Sequence, residues 1–187
     1  MDHYVEIRLL RDPEIPATQL LNILFGKLHL ALVEGKHDDI GVSFPDLAEE
    51  PPSLGTRLRL HGSVTGLGRL LEGSWLRGMR DYIELHSPQP VPQGTQHRCV
   101  SRVQSKSSVD RLRRRHMRRH GVSEQEAIAR IPDQARRLLD LPYIVLDSHS
   151  TDQRFRLFIE HRPLQATPCA GKFNSYGLSG EATVPWF

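Results

Sequence analysis

The run Arg111-Leu-Arg-Arg-Arg-His-Met-Arg-Arg-His120 limits what this chain can fold into more than any other stretch. At 100° per residue, Arg111, Arg114, Arg115, Arg118 and Arg119 fall within an arc of roughly 140° on a helix. Ser107 or Ser108 can cap its start, and Asp110 puts an anion in the first turn, where the helix dipole favours one. Gly121 stands where a left-handed C-terminal cap is wanted. The run is expected as a helix over about 108–120 with one dense cationic stripe.

Five guanidiniums on one face repel each other, so the stripe needs solvent or a polyanion opposite it. Most charge runs are simply solvated faces. Here every cation of the stripe is arginine, whose planar fork matches phosphate bidentately as lysine cannot. Nucleic acid is the partner this favours. The charge balance points the same way. Of 25 Lys+Arg and 22 Asp+Glu, residues 1–97 hold 9 and 13, leaving 16 and 9 for residues 98–187. The halves therefore carry −4 and +7, and the polyanion contact belongs to the second.

The first half reads as alternating secondary structure. Val5, Ile7 and Leu9 alternate with Tyr4, Glu6 and Arg8, the period of a half-buried strand. Leu20, Leu21, Leu24, Leu28, Ala31 and Leu32 recur at helical spacing over Ala17–Val33, with a stop near Gly35. Short strands follow at Ile40–Phe44 and Arg57–Leu60, then a helix over Thr65–Met79 weakened by glycines, then a strand at Tyr82–Leu85. The order β-α-β-β-α-β is the ferredoxin-like motif, here in an α+β chain. That fold hosts many functions and argues none by itself.

Ser87-Pro-Gln-Pro-Val-Pro-Gln-Gly94 places three prolines at alternate positions, as a stiff connector would. It divides the chain into an expected domain over 1–86, a linker over 87–94, and a smaller α+β domain over 95–187 carrying the arginine helix. The chain then alternates from His97 to Lys106, with Arg102 and Gln104 on one face. Arginine suits the O6/N7 edge of guanine and glutamine the N6/N7 edge of adenine, so this pair is a candidate base reader. An exposed polar strand face is the plainer alternative. Ser123-Glu-Gln-Glu126 is a capping box opening a short helix that ends before Pro132, and another short helix is expected up to Leu141. Tyr143–Asp147 and Arg154–Glu160 form a hairpin with Ser148, His149 and Ser150 at its mouth and Phe155 just past the turn. A short strand over Phe173–Tyr176 and an apolar tail, Val184-Pro-Trp-Phe187, close the chain.

Several function classes find no support. Cys99 and Cys169 have no CxxC spacing and read as free thiols in a reducing cytoplasm. No phosphate-binding glycine loop, zinc-ligand spacing, paired-carboxylate motif or RNP-type aromatic strand stands out. No signal peptide or membrane-spanning run is evident. His29 sits on the first helix at the edge of its apolar stripe, either as an ordinary half-buried histidine or as a general acid or base.

Taken together, the Met-Asp-His-Tyr start, Leu24-Phe-Gly-Lys-Leu-His29, Gly41-Val-Ser-Phe-Pro-Asp46, Ser101-Arg-Val-Gln-Ser-Lys106, the arginine helix, Phe155-Arg-Leu-Phe-Ile159, Tyr176-Gly-Leu-Ser179 and Val-Pro-Trp-Phe187 give the chain a family resemblance. It resembles the CRISPR-associated precursor-RNA endoribonucleases of the Ypest subtype, type I-F (the Csy group), over essentially its whole length. The resemblance implies an enzyme that needs no metal or other cofactor and cuts repeat RNA at the 3′ base of a stem-loop. It also implies a monomer that stays on its product among the type I-F interference-complex subunits, in the cytoplasm and away from membranes. His29 then matches the general base, Ser148 the residue holding the ribose hydroxyl, Tyr176 the residue orienting the histidine, and Ser150 a member of the same loop. Arg102 and Gln104 match the readers of a guanine and an adenine. Arg115, Arg118 and Arg119 match the helix contacts to the hairpin, with Arg111 and Arg114 on the same stripe, and Phe155 matches the aromatic under the terminal base pair. Two other readings are an RNA-binding subunit without cleavage and a DNA-binding regulator.

Overall fold

The computed structural model describes residues 1–103, 109–131, 141–148 and 153–187. Val5, Ile7 and Leu9 are all buried on strand β1 (His3–Leu9), as their alternation requires. The Asp12 carboxylate then accepts from the N–H groups of Glu14 and Ile15, each at 2.8 Å, a local turn that ends the strand. Helix α1 (Ala17–Glu34) buries Leu20, Leu21, Leu24, Phe25, Leu28 and Leu32, and closes at Gly35, whose N–H donates to the Ala31 carbonyl at 2.9 Å. Each such side chain contributes roughly 1.5–3 kcal/mol by leaving water, so this face fixes α1 in place.

Strands β2 (Gly41–Ser43) and β3 (Arg57–Gly62) precede α2 (Val64–Glu72), which Ser63 caps by accepting from the Gly66 N–H at 3.0 Å. The helix expected over 65–79 stops at Glu72. Gly73 turns extended (φ −66°, ψ 154°), and the Trp75 indole N–H takes the Leu70 carbonyl at 2.9 Å, satisfying an end carbonyl. Two 3₁₀ turns, Ser74–Leu76 and Arg80–Tyr82, carry the chain to β4 (Ile83–Leu85). The sheet runs β2-β3-β1-β4 with each of these pairings antiparallel, and β5 (Gln89–Pro90), within the proline stretch, also pairs with β1.

Beyond it, the strand expected over 97–106 is interrupted at Cys99. Gln96–Arg98 (β6) pairs with the tail strand β10 (Val184–Trp186), whereas Val100–Val103 (β7) pairs with β9 (Gln153–His161), so two partners split one segment. Strand β8 (Tyr143–Ser148) completes a sheet ordered β7-β9-β8. Residues 173–176, expected as a strand, instead form a turn on Asn174. The tail packs back on the first sheet. Arg59 donates to the Phe187 carbonyl at 2.7 Å, lies 4.0 Å from that ring, and pairs with its cross-strand partner Glu6 at 2.8 Å.

The chain is α+β. Its contacts define two compact units, Met1–Val103 with Leu141–Phe187, and Gln104–Asp140. Within the first, one apolar core joins Val5, Leu24, Leu28 and Leu60 to Ile144, Leu146, Leu157 and Ile159. Within the second, α3 (Val109–His120) and α4 (Glu124–Arg130) pack together. Gly121, at φ 63°, ends α3 with its N–H on the Met117 carbonyl at 2.8 Å, and the Ser123–Glu126 capping box opens α4. The expected helix up to Leu141 and the Ser107/Ser108 cap lie outside the described residues. Among the described residues no helix is long and apolar enough to cross a membrane.

Candidate active site and nucleic-acid interface

His29 projects from the edge of the buried face of α1, half-buried. Its Nδ1 lies 2.7 Å from the Ser175 carbonyl oxygen, which can only accept, so Nδ1 carries a proton and the neutral ring's lone pair falls on Nε2. The Tyr176 ring stacks on the imidazole with centroids 4.2 Å apart and planes 15° apart, and Phe25 stacks beneath Tyr176 at 6.5 Å. Tautomer and ring plane are thus both held.

The segment that holds them is a turn built by Asn174. Its side-chain oxygen accepts from the N–H groups of Tyr176 (2.9 Å) and Leu178 (3.2 Å), and its carbonyl accepts from Gly177 N–H at 2.8 Å. Gly177 sits at φ 68°, and a Cβ there would lie 2.3 Å from Val42 Cγ2, so only glycine fits the turn against β2. Gly177 also returns its carbonyl to Val42 N–H at 2.9 Å. One turn therefore delivers both the carbonyl and the ring to His29.

A groove of about 570 Å³ runs beside His29 between α1 and the β8–β9 hairpin, lined by Gly26, Tyr176, Phe155, Leu146 and Asp147 among others. Asn22 of α1 ties its walls together by accepting from Val145 N–H at 2.9 Å. Arg102, exposed on β7, holds its guanidinium 5.6 Å from the Tyr176 ring and 5.9 Å from Phe155. Arg154 stands 3.7 Å from Asp147 at the rim. The structure thus gathers His29, Tyr176, Phe155 and Arg102 at one groove. The backbone of Ser148 ends β8 one residue past the groove-lining Asp147, paired with Gln153. Gln104 and Ser150 lie outside the described residues. Among the described residues, no group of three or more His, Cys, Asp or Glu side chains is placed to hold a metal ion.

On α3 the chain presents the expected stripe. Arg111, Arg114, Arg115, Arg118 and Arg119 are all exposed and together line one shallow concavity of about 600 Å³. Leu112, Arg113, His116 and Met117 form the half-buried opposite face. Arg113 donates through Nε and Nη2 to the Ile131 carbonyl, at 2.9 and 2.7 Å, supplying a cation where the α4 dipole ends. His116, on that half-buried face, meets the His120 ring with centroids 4.6 Å apart.

A family model described as "CRISPR-associated protein (Cas_Csy4)" matches residues 4–187. The chain belongs to the Csy4 family. It is 57% identical over 187 residues to a Pseudomonas aeruginosa (strain UCBPP-PA14) protein named CRISPR-associated endonuclease Cas6/Csy4, covering 100% of both chains. An Escherichia coli (strain UTI89 / UPEC) protein of the same name is 46% identical over 187 residues, again covering 100% of both.

For this Csy4-family chain, sequence reasoning missed Asn174, Ser175 and the capping role of Arg113. Asn174 and Gly177 are turn formers three apart, a signal of the loop itself. Nothing in the sequence says that its carbonyl meets a histidine 146 positions away.

Proposed function

We propose that the chain is an endoribonuclease that cuts precursor CRISPR RNA at the 3′ base of the repeat stem-loop and keeps the product bound. The observation that carries this reading is the state of His29: Nδ1 is committed to the Ser175 carbonyl, and Nε2 is left as a base beside an open groove. Nε2 takes the proton of the ribose 2′-hydroxyl upstream of the cut. The 2′-oxygen bonds to phosphorus as the bond to the 5′-oxygen breaks, and that oxygen leaves as a 5′-hydroxyl on taking a proton from solvent. The products are a 2′,3′-cyclic phosphate and a 5′-hydroxyl end. An internal nucleophile needs no metal-activated water, so the step runs without a metal ion. General-base action of this kind contributes about 10²–10⁴-fold, and the rest comes from holding the nucleotide in line.

The remaining residues divide between positioning and recognition. Tyr176 orients His29, and Ser148 and Ser150 hold the reacting nucleotide. Phe155 lies under the terminal base pair, with Arg102 and Gln104 reading a guanine and an adenine at the foot of the stem. Arg111, Arg114, Arg115, Arg118 and Arg119 take backbone phosphates of the hairpin. A-form major grooves are too narrow for side chains unless they open, so recognition depends on a short stem as well as on sequence. In functional terms residues 1–86 supply the base and 95–187 the RNA recognition, across the 87–94 connector. The strand order β2-β3-β1-β4, antiparallel throughout, supports a ferredoxin-like reading of the first part. The protein acts as a monomer on RNA, in the cytoplasm, within a type I-F interference complex.

Cleavage of a type I-F repeat hairpin in EDTA, beside the same RNA carrying one 2′-deoxy nucleotide before the cut, tests this. The expected result is cutting of the first and binding without cutting of the second. Binding with no cutting of either leaves an RNA-binding subunit, and duplex DNA bound as tightly as the hairpin overturns the RNA reading.

A further inference from the structure

Among the described residues, three glycines stand inside helices: Gly26 in α1, and Gly66 and Gly68 in α2. Only proline is a poorer helix former, so each position calls for a reason. For Gly66 the reason is packing, because a Cβ there would lie 2.7 Å from Asp39 Oδ2 and 3.2 Å from Ser63 Oγ. A Cβ at Gly68 would meet nothing within 4 Å. Packing does not explain Gly26 either. A Cβ on it would meet a single atom within 4 Å, Leu146 Cδ2 at 3.6 Å, which is ordinary contact.

What sets Gly26 apart from Gly68 is the groove at His29. Asn22, Ile23, Gly26, His29, Leu30 and Val33 follow one another at helical spacing along its α1 wall, and at Gly26 that row of side chains is interrupted. The wall is notched one turn before His29. Helical side chains lean toward the helix N-terminus, so His29 reaches back over the turn that carries Phe25 and Gly26. On that turn Phe25 is buried beneath Tyr176, whose ring covers one face of the imidazole. No His29 atom comes within 4 Å of a Cβ at Gly26, so the notch is free space between helix backbone and base.

We propose that this notch seats the ribose whose 2′-hydroxyl His29 deprotonates: the missing side chain at Gly26 lets the sugar come down onto the α1 backbone, within reach of Nε2. The inference rests on His29 being the general base of the proposed function. A methyl group at position 26 would lift the sugar away from that seat, and a misplacement of about 1 Å is enough to cost a reaction of this kind 10²-fold. Helix stability is given up at Gly26 to keep the seat clear.

Gly26→Ala in the full chain is expected to have effects of opposite sign. The unfolding temperature should rise by about 2–4 °C, as for a better helix former that clashes with nothing. Single-turnover cleavage of the repeat hairpin at saturating protein should fall roughly 10²-fold. Affinity for the hairpin carrying 2′-deoxy before the cut should stay within about threefold, since the phosphate contacts of the α3 stripe are untouched. The pH–rate profile should keep its midpoint, because the imidazole and its partners are unchanged. Gly68→Ala is the control, with a similar rise in unfolding temperature and unchanged cleavage. Cleavage at the full rate by Gly26→Ala overturns the seat and leaves His29 as the base. A lowered unfolding temperature overturns it as well, by assigning the glycine to packing against Leu146, and a moved midpoint does so by placing the effect on His29 itself. No cutting by the unsubstituted chain overturns the seat and the proposed function together.

Discussion

The groove at His29 and the stripe on α3 are two sites built in opposite ways. The groove draws on α1, β7, the β8–β9 hairpin and the Asn174 turn, and its key hydrogen bond spans 146 positions. The stripe draws on nine consecutive positions, Arg111–Arg119, and needs only a helix to align them. A site whose work is proton transfer needs one nitrogen placed to a fraction of an ångström, which only packing from several sides provides. A site whose work is holding phosphates needs charge density on an open face, which local helical periodicity supplies.

That contrast can be broken most sharply at His29. In His29→Ala, single-turnover cleavage of the hairpin is expected to fall at least about 10²-fold with binding unchanged. An equal loss of affinity would mean that the groove serves binding and the division of labour is wrong.

Acid should undo the first unit through groups the stripe lacks. His61, wholly buried with Nε2 2.8 Å from Ser43 Oγ, is pushed by burial, then by Arg59, down to about 3. His161, between Phe44 and Trp186, is pushed by burial down to about 4. Both fold neutral with pKa values below the ordinary 6.5, so their contribution is complete above pH 6.5 and is lost as pH falls toward 3–4, where the unfolded chain takes protons the folded one refuses. Urea unfolding at pH 5 against pH 7 should show roughly 2 kcal/mol lost through His61 alone. His61→Gln should flatten that slope, and an unchanged slope would remove His61 from the account.

Asn174→Ala sharpens the comparison, since the Asn174 side chain binds the turn's own N–H groups, whereas His29 is held by the Ser175 carbonyl. Loosening the turn should release the Ser175 carbonyl and lower the cleavage rate roughly tenfold, with an altered pH–rate profile and little change in hairpin affinity. A purely structural role would lower thermal stability and leave the pH profile of the folded fraction as it was.

The smallest effects separate two arginines of one run. Arg115→Ala should weaken hairpin binding several-fold and reduce the salt slope by about one phosphate's worth. Arg113→Ala should leave the slope alone and cost about 1 kcal/mol of α4 stability through the lost Ile131 contact. Equal salt slopes in the two variants would mean that the stripe is no more than a charge total.

Where the physics is local, the sequence was readable. The alternation in β1, the 3.6-residue stripe of α1, the Ser123 capping box and the Gly121 stop each depend on neighbours within a turn or two, and each is found in the structure. The failures come where tertiary partners compete. Gly73 and Trp75 end α2 early, β6 and β7 split between two sheets, and 173–176 turn on Asn174 rather than extend.

The sequence by itself determined β1, α1, the charged stripe and, through its motifs, the family. It carried His29 as one histidine among 10. Only the tertiary structure decided which face of that imidazole is tied down, because the Ser175 carbonyl and the Tyr176 ring arrive from a distant turn held against β2 by Gly177. Periodicity places a side chain on a face; a hydrogen bond between remote segments is set by how those faces pack.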